Sequence, residues 1–123
     1  MSGTSGPTQI NSVSITAPSA GLLVISGKAF VENNTAGLNR LFELDALLDG
    51  SSLSSGGRAI ATLFLNVPDS VPDRGSVSYT VVRPVTAGAH TVTQQIETPG
   101  VNADYVYDDN ELTVLFVPTG GVA

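Results

Sequence analysis

The chain has 123 residues, enough for one hydrophobic core and too few for two. Five Lys and Arg against 11 Asp and Glu give a net charge of −6, so no basic face exists to hold nucleic acid phosphates. With no Cys and a single His, His90, disulfides, thiolate chemistry, Cys-ligated zinc and His-rich metal sites are excluded together.

Apolar residues make up 41% and charged residues 13%, the reverse of the composition of a disordered chain. So few charges, with Lys28 the lone Lys, leave little polar surface to cover a monomer. Burial in an oligomer, or a Ser/Thr-coated exterior, is the expectation. The longest apolar run, Leu22 to Ile25, falls far short of the ~18–20 residues of a membrane-spanning helix, so no membrane insertion is expected. Met1 to Pro7 carries neither the basic nor the apolar region of a secretory signal, which points to use without Sec export unless a signal was removed.

In chain order, residues 1–12 read as a small, polar N-terminal arm, 13–118 as the folded domain and 119–123 as a C-terminal tail. Ile10 to Thr16 alternates Val13 and Ile15 with Ser12, Ser14 and Thr16, the period of a strand with one wet face. Leu22 to Val31 is apolar on both faces, as in a central strand, and Gly27 within it marks a bulge or a close backbone approach. Asn39 to Leu48 is rich in helix formers, yet Phe42, Leu44, Ala46 and Leu48 fall on one face at period two, and Asp49-Gly50 is a hairpin turn. A strand is therefore expected there.

Ser51 to Gly57 reads as a surface loop with at most a stub of strand, and Arg58 to Val67 as a strand ended by Pro68. Residues 68–75 are saturated with turn formers and read as a long exposed loop. Ser76 to Arg83 alternates and is closed by Pro84; Ala89 to Glu97 places His90, Val92, Gln94 and Ile96 on one face. Ala103 to Tyr107 reads as a short strand, Asp108-Asp109-Asn110 as a turn, and Leu112 to Val117 as the last strand. Eight or nine strands separated by turns, with helix signals nearly absent and no internal repeat, point to an all-β, single-domain antiparallel β-sandwich, with jelly-roll topology among its possible arrangements.

Three stretches carry a family resemblance. Pro18-Ser19-Ala20-Gly21-Leu22-Leu23-Val24-Ile25-Ser26 resembles the Pro-x-x-Gly-x-Tyr-x-Phe-Ser segment of the C1q/TNF-like jelly rolls, with Leu23 and Ile25 at the aromatic positions. Val85 to Val92 is similar to that family's Leu-x-x-Gly-Asp-x-Val, here without the Asp. Glu111 to Pro118 stands where its final Phe-x-Gly-Phe-Leu-Leu strand would, here without the Gly. The likeness is to the divergent bacterial and phage members. It implies a compact homotrimer that buries one face of the sandwich around a three-fold axis and presents loops for recognition, a binding or structural head and not an enzyme. An immunoglobulin-like sandwich or a carbohydrate-binding module is the other architecture with this pattern.

His90 with an acid and a Ser would be the only hydrolase kit, but no Gly-x-Ser-x-Gly elbow selects a nucleophile, and no catalytic residue is assigned. Asp104, Asp108, Asp109 and Glu111 are the candidate metal ligands, since Ca²⁺ takes six to eight hard oxygens. They lack EF-hand spacing, and a solvated turn is the plain alternative; otherwise no cofactor is expected. Tyr105 and Tyr107 share a strand face beside that acidic turn and, with Asp108, are the candidate ligand-binding residues for a surface glycan. Core or interface packing is the commoner fate of such tyrosines. The resulting expectation is a virion surface component, a capsid decoration or fibre head contacting capsid or fibre proteins. The alternative is a bacterial cell-surface C1q-like or carbohydrate-binding module, extracellular in location.

Overall fold

A computed structural model describes residues 2–3, 7–33, 40–54, 59–65, 73–98 and 105–119. They form β1 (Ser2–Gly3), β2 (Thr8–Ala17), β3 (Gly21–Asn33), β4 (Arg40–Leu48), β5 (Ser51–Ser52), β6 (Ala61–Leu65), β7 (Asp73–Val85), β8 (Gly88–Glu97) and β9 (Tyr105–Pro118). Every pairing is antiparallel. The protein is an all-β sandwich: one sheet has the order β1-β9-β3-β7, the other β2-β8-β4, with β5 and β6 sharing the far edge of β4. Among the described residues there is no helix.

Strict alternation builds the core. Along β3 the residues Leu23, Ile25, Ala29 and Val31 point inward and are fully buried, and Phe42, Leu44 and Ala46 of β4 do the same from the facing sheet. Burying a side chain the size of Phe42 contributes about 2–3 kcal/mol, which is what overrides the helix-forming composition of that segment. Asp49 and Gly50 both have positive φ, 51° and 87°, the backbone of the two-residue hairpin turn expected from their sequence.

The core is divided. One cluster gathers Ala29, Val31, Phe42, Leu44, Leu65, Val77, Ile96 and Tyr107, and the other Ala17, Leu23, Ile25, Ala46, Leu53, Val85 and Val92. Between them lie Gly27 and Gln94, each in the inward-facing series of its strand, and Tyr79 packs against both clusters. The Tyr79 hydroxyl donates to Gln94 Oε1 at 2.7 Å, while Gln94 Nε2 donates to Asn11 Oδ1 at 2.8 Å and has the Lys28 and Glu111 carbonyls at 3.3 and 3.2 Å. A polar crosspiece thus joins the two sheets at mid-core, and burial holds the Tyr79 hydroxyl far above the ordinary tyrosine range.

Several expectations are corrected. Asp108-Asp109-Asn110 does not turn the chain; β9 runs through it, and the register passes from Lys28↔Glu111 to Phe30↔Asp108, so Asp109 and Asn110 oppose Ala29 alone. This is a β-bulge, with Asp109 at φ 51°. Pro84 does not close β7 but lies inside it opposite Leu22, tolerated because β7 is an edge strand. Of the strand expected from Arg58 to Val67, Ala61–Leu65 is strand and Ala59 and Ile60 are not, while Arg58, Asn66 and Val67 lie outside the described residues; β7 includes Asp73, inside the expected 68–75 loop. Thr8 to Ser12, assigned to the arm, belong to β2 and pair with β8.

Candidate interaction face

The outward side chains of the β1-β9-β3-β7 sheet are ordered in rows by the register. Leu22 stands opposite Pro84 and Val117, and Val24 opposite Val82 and Leu115. Val82 is 47% and Leu115 58% exposed, so these two rows form an apolar half-face turned to solvent. Next come hydroxyls, Ser26 opposite Thr80 and Thr113, with Ser26 Oγ and Thr80 Oγ1 3.0 Å apart. Lys28 opposite Ser78 and Glu111 forms the row beyond. A shallow open depression of about 350 Å³ lies between the hydroxyl row and the Lys28 row.

Lys28 Nζ is 3.0 Å from Glu111 Oε2 and 4.0 Å from Asp109 Oδ2. The hydrogen bond and charge of Glu111, with Asp109 behind it, raise the Lys28 pKa above its ordinary value. These are exposed pairs, and their value is mainly in setting the bulge side chains on one cation. At the far end of the sheet Arg74 Nε donates to Glu32 Oε2 at 2.9 Å. The half of the face away from Leu22 and Val24 therefore carries two sets of paired charges, with half-buried Phe30 in the row between them.

Of the residues expected to bind a ligand or metal, Asp109 and Glu111 share Lys28, whereas Tyr107 and Asp108 differ in burial. Tyr107 is 7% exposed and belongs to the core, so its ring face is not presented to solvent. Tyr105, on β9, pairs through its backbone with Gly3 of β1. Asp108 and Asp109 are exposed on the bulge, and Asp108 Oδ1 accepts the Asp109 N–H at 2.8 Å. Glu111 is engaged by Lys28, and Asp104 lies outside the described residues. Among the described residues no three His, Cys, Asp or Glu side chains stand together as a metal-holding group.

Other polar constellations join residues far apart in the sequence. His90 Nδ1 meets Asp49 Oδ2 at 2.7 Å and Nε2 meets the Thr86 carbonyl at 2.8 Å, so neither ring nitrogen faces a hydroxyl nucleophile. Asp45, 3% exposed, accepts the Ala46 N–H at 2.9 Å and a hydrogen bond from Ser52. Its burial raises the carboxyl pKa above the usual value, with the neighbouring Glu43 charge adding to the rise. Alternation puts His90 and Gln94 on one face of β8, but their partners come from elsewhere in the chain, for His90 from two turns and for Gln94 from β7 and β2. No protein-family model matches the chain, and no curated protein matches it.

Proposed function

We propose that the chain is a non-enzymatic structural or binding protein that acts as a homotrimer of jelly-roll heads, suited to a virion surface as a capsid decoration or fibre head. The observation that carries this reading is the apolar half-face of Leu22, Val24, Val82, Pro84, Leu115 and Val117 on one sheet. A small acidic domain with so few charges gains by covering such a surface with copies of itself. The strand orders support the jelly-roll part of the reading. With the β5 stub set aside, β1-β9-β3-β7 faces β2-β8-β4-β6, the first strand beside the last and the third beside the seventh, as a wrapped double strand requires.

Light scattering of the purified chain over a range of concentrations tests it. The expected mass is three times the 12.6 kDa of one chain. A monomer at every concentration overturns the assembly and, with it, the decoration-head reading.

A further inference from the structure

We propose that His90 is a proton-operated clasp, tying the β4–β5 turn to the β7–β8 turn when the imidazole is doubly protonated and releasing that end of the sandwich when a proton leaves. Nδ1 faces the Asp49 carboxylate at 2.7 Å and Nε2 faces the Thr86 backbone carbonyl at 2.8 Å. Both oxygens only accept, so both ring nitrogens must donate, and only the imidazolium carries a proton on each. In either neutral tautomer one nitrogen lone pair would point at an oxygen lone pair.

The clasp spans separate pieces of chain. Asp49 is the first of the two positive-φ residues of the β4–β5 turn, and its carboxylate also accepts the Thr91 N–H at 2.9 Å while its own N–H donates to the Thr91 carbonyl at 2.8 Å. Thr86 precedes Gly88, whose φ of 122° lets the β7–β8 turn close. His90 reaches from β8 to both. The surrounding charges favour the cation. Asp49 is the charged partner, the β2 residue in register is the uncharged Ile15, and Arg83 of β7 turns its guanidinium to the Leu53 and Val82 carbonyls.

Accordingly His90 sits above its ordinary pKa, chiefly through the Asp49 hydrogen bond, and Asp49 sits below its own through His90. The sign follows. A group whose folded pKa exceeds the unfolded value stabilises fully below the unfolded pKa, about 6.5, and its contribution is lost as pH rises through the folded pKa. The Asp49 side chain is 49% exposed, so solvent reaches the pair and the proton exchanges without unfolding.

His90 is the only His, so its ring resonances are unambiguous in an NMR titration of the intact protein. The expected midpoint lies above 6.5, with both ring nitrogens protonated below it. As pH rises through that midpoint, the Asp49 and Thr91 amides should lose exchange protection more than the intrinsic rate explains. Asp49→Asn should lower the midpoint. Relative to His90→Gln, the wild-type advantage in urea midpoint should shrink over the same pH interval. A midpoint at or below 6.5, or a single-proton tautomer across the whole range, overturns the proposal. Should His90→Gln fail to fold, the wild-type titration decides alone.

Discussion

The carboxamide of Gln94 occupies the space that a side chain at Gly27 would need: a Cβ built on Gly27 collides with Gln94 Oε1 and with the Tyr79 hydroxyl. Gly27 is thus an inward position of β3 kept empty so that a polar crosspiece can pass. Gly27→Ala should destabilise the fold by about 3 kcal/mol, combining overpacking with broken buried hydrogen bonds. Urea unfolding would register this as a lower midpoint at an unchanged slope. A midpoint equal to wild type would mean that the crosspiece is not rigid.

Tyr79→Phe probes the same crosspiece without steric change. It removes the donor at 2.7 Å from Gln94 Oε1 and leaves a buried carboxamide oxygen unsatisfied. The expected loss is about 1–2 kcal/mol in urea unfolding. Combined with Gln94→Leu, which removes the orphaned oxygen, Tyr79→Phe should cost less than it does alone.

Asp45 predicts a pH effect of definite sign. Its folded pKa is raised, chiefly by burial, so the unfolded chain releases the proton more readily and the native state is penalised as pH rises above the ordinary carboxylate range. Asp45→Asn keeps an oxygen for the Ala46 N–H and removes the charge. It should raise the thermal midpoint at pH 7, and the gain should vanish below the ordinary carboxylate pKa. A loss of stability at pH 7 would show that the ionised form is required there.

If the proposed trimer uses the outer face, Val82→Glu with Leu115→Glu should turn it into monomers while the far-ultraviolet spectrum stays that of the native strands. Phe64→Glu is the control: Phe64 is 57% exposed on the opposite sheet, and its change should leave the mass at the wild-type value. If Phe64→Glu dissociates the assembly and the double variant does not, the interface is on the other sheet.

The assembly should be indifferent to chelation. Lys28 already neutralises Glu111 at 3.0 Å and draws Asp109, so the exposed acids of the bulge do not need a divalent cation to coexist. The mass measured by light scattering should be the same with and without EDTA. Dissociation in EDTA would make the acidic bulge a structural calcium site.

The strands were legible because burial imposes period two locally: Leu23, Ile25, Ala29 and Val31 in β3, or Phe42, Leu44 and Ala46 in β4, can be read from a few neighbours. Asp108-Asp109-Asn110 was misread because a turn and a bulge draw on the same residues that accept positive φ. Choosing between them depends on the spacing of Lys28 and Phe30 on β3, a non-local fact. The burial of Tyr107 was hidden from the sequence for a similar reason. Adjacent in sequence, Tyr107 and Asp108 point to opposite faces of one strand, and the first is spent on the core. The partners of Gln94, 15, 66 and 83 residues away at Tyr79, Lys28 and Asn11, lie beyond any pattern a single segment can show.

Pro84 has a consequence for how copies of this chain could join. β7 ends its sheet with a long row of backbone groups facing outward, the ordinary template for an added strand. A proline in that row withholds one donor, and its ring intrudes where a neighbouring backbone would lie. Strand-by-strand growth along this edge is thereby obstructed, and association is steered toward contact through side chains. Contacts of that kind can be closed by rotation into a finite particle, whereas edge growth extends without end.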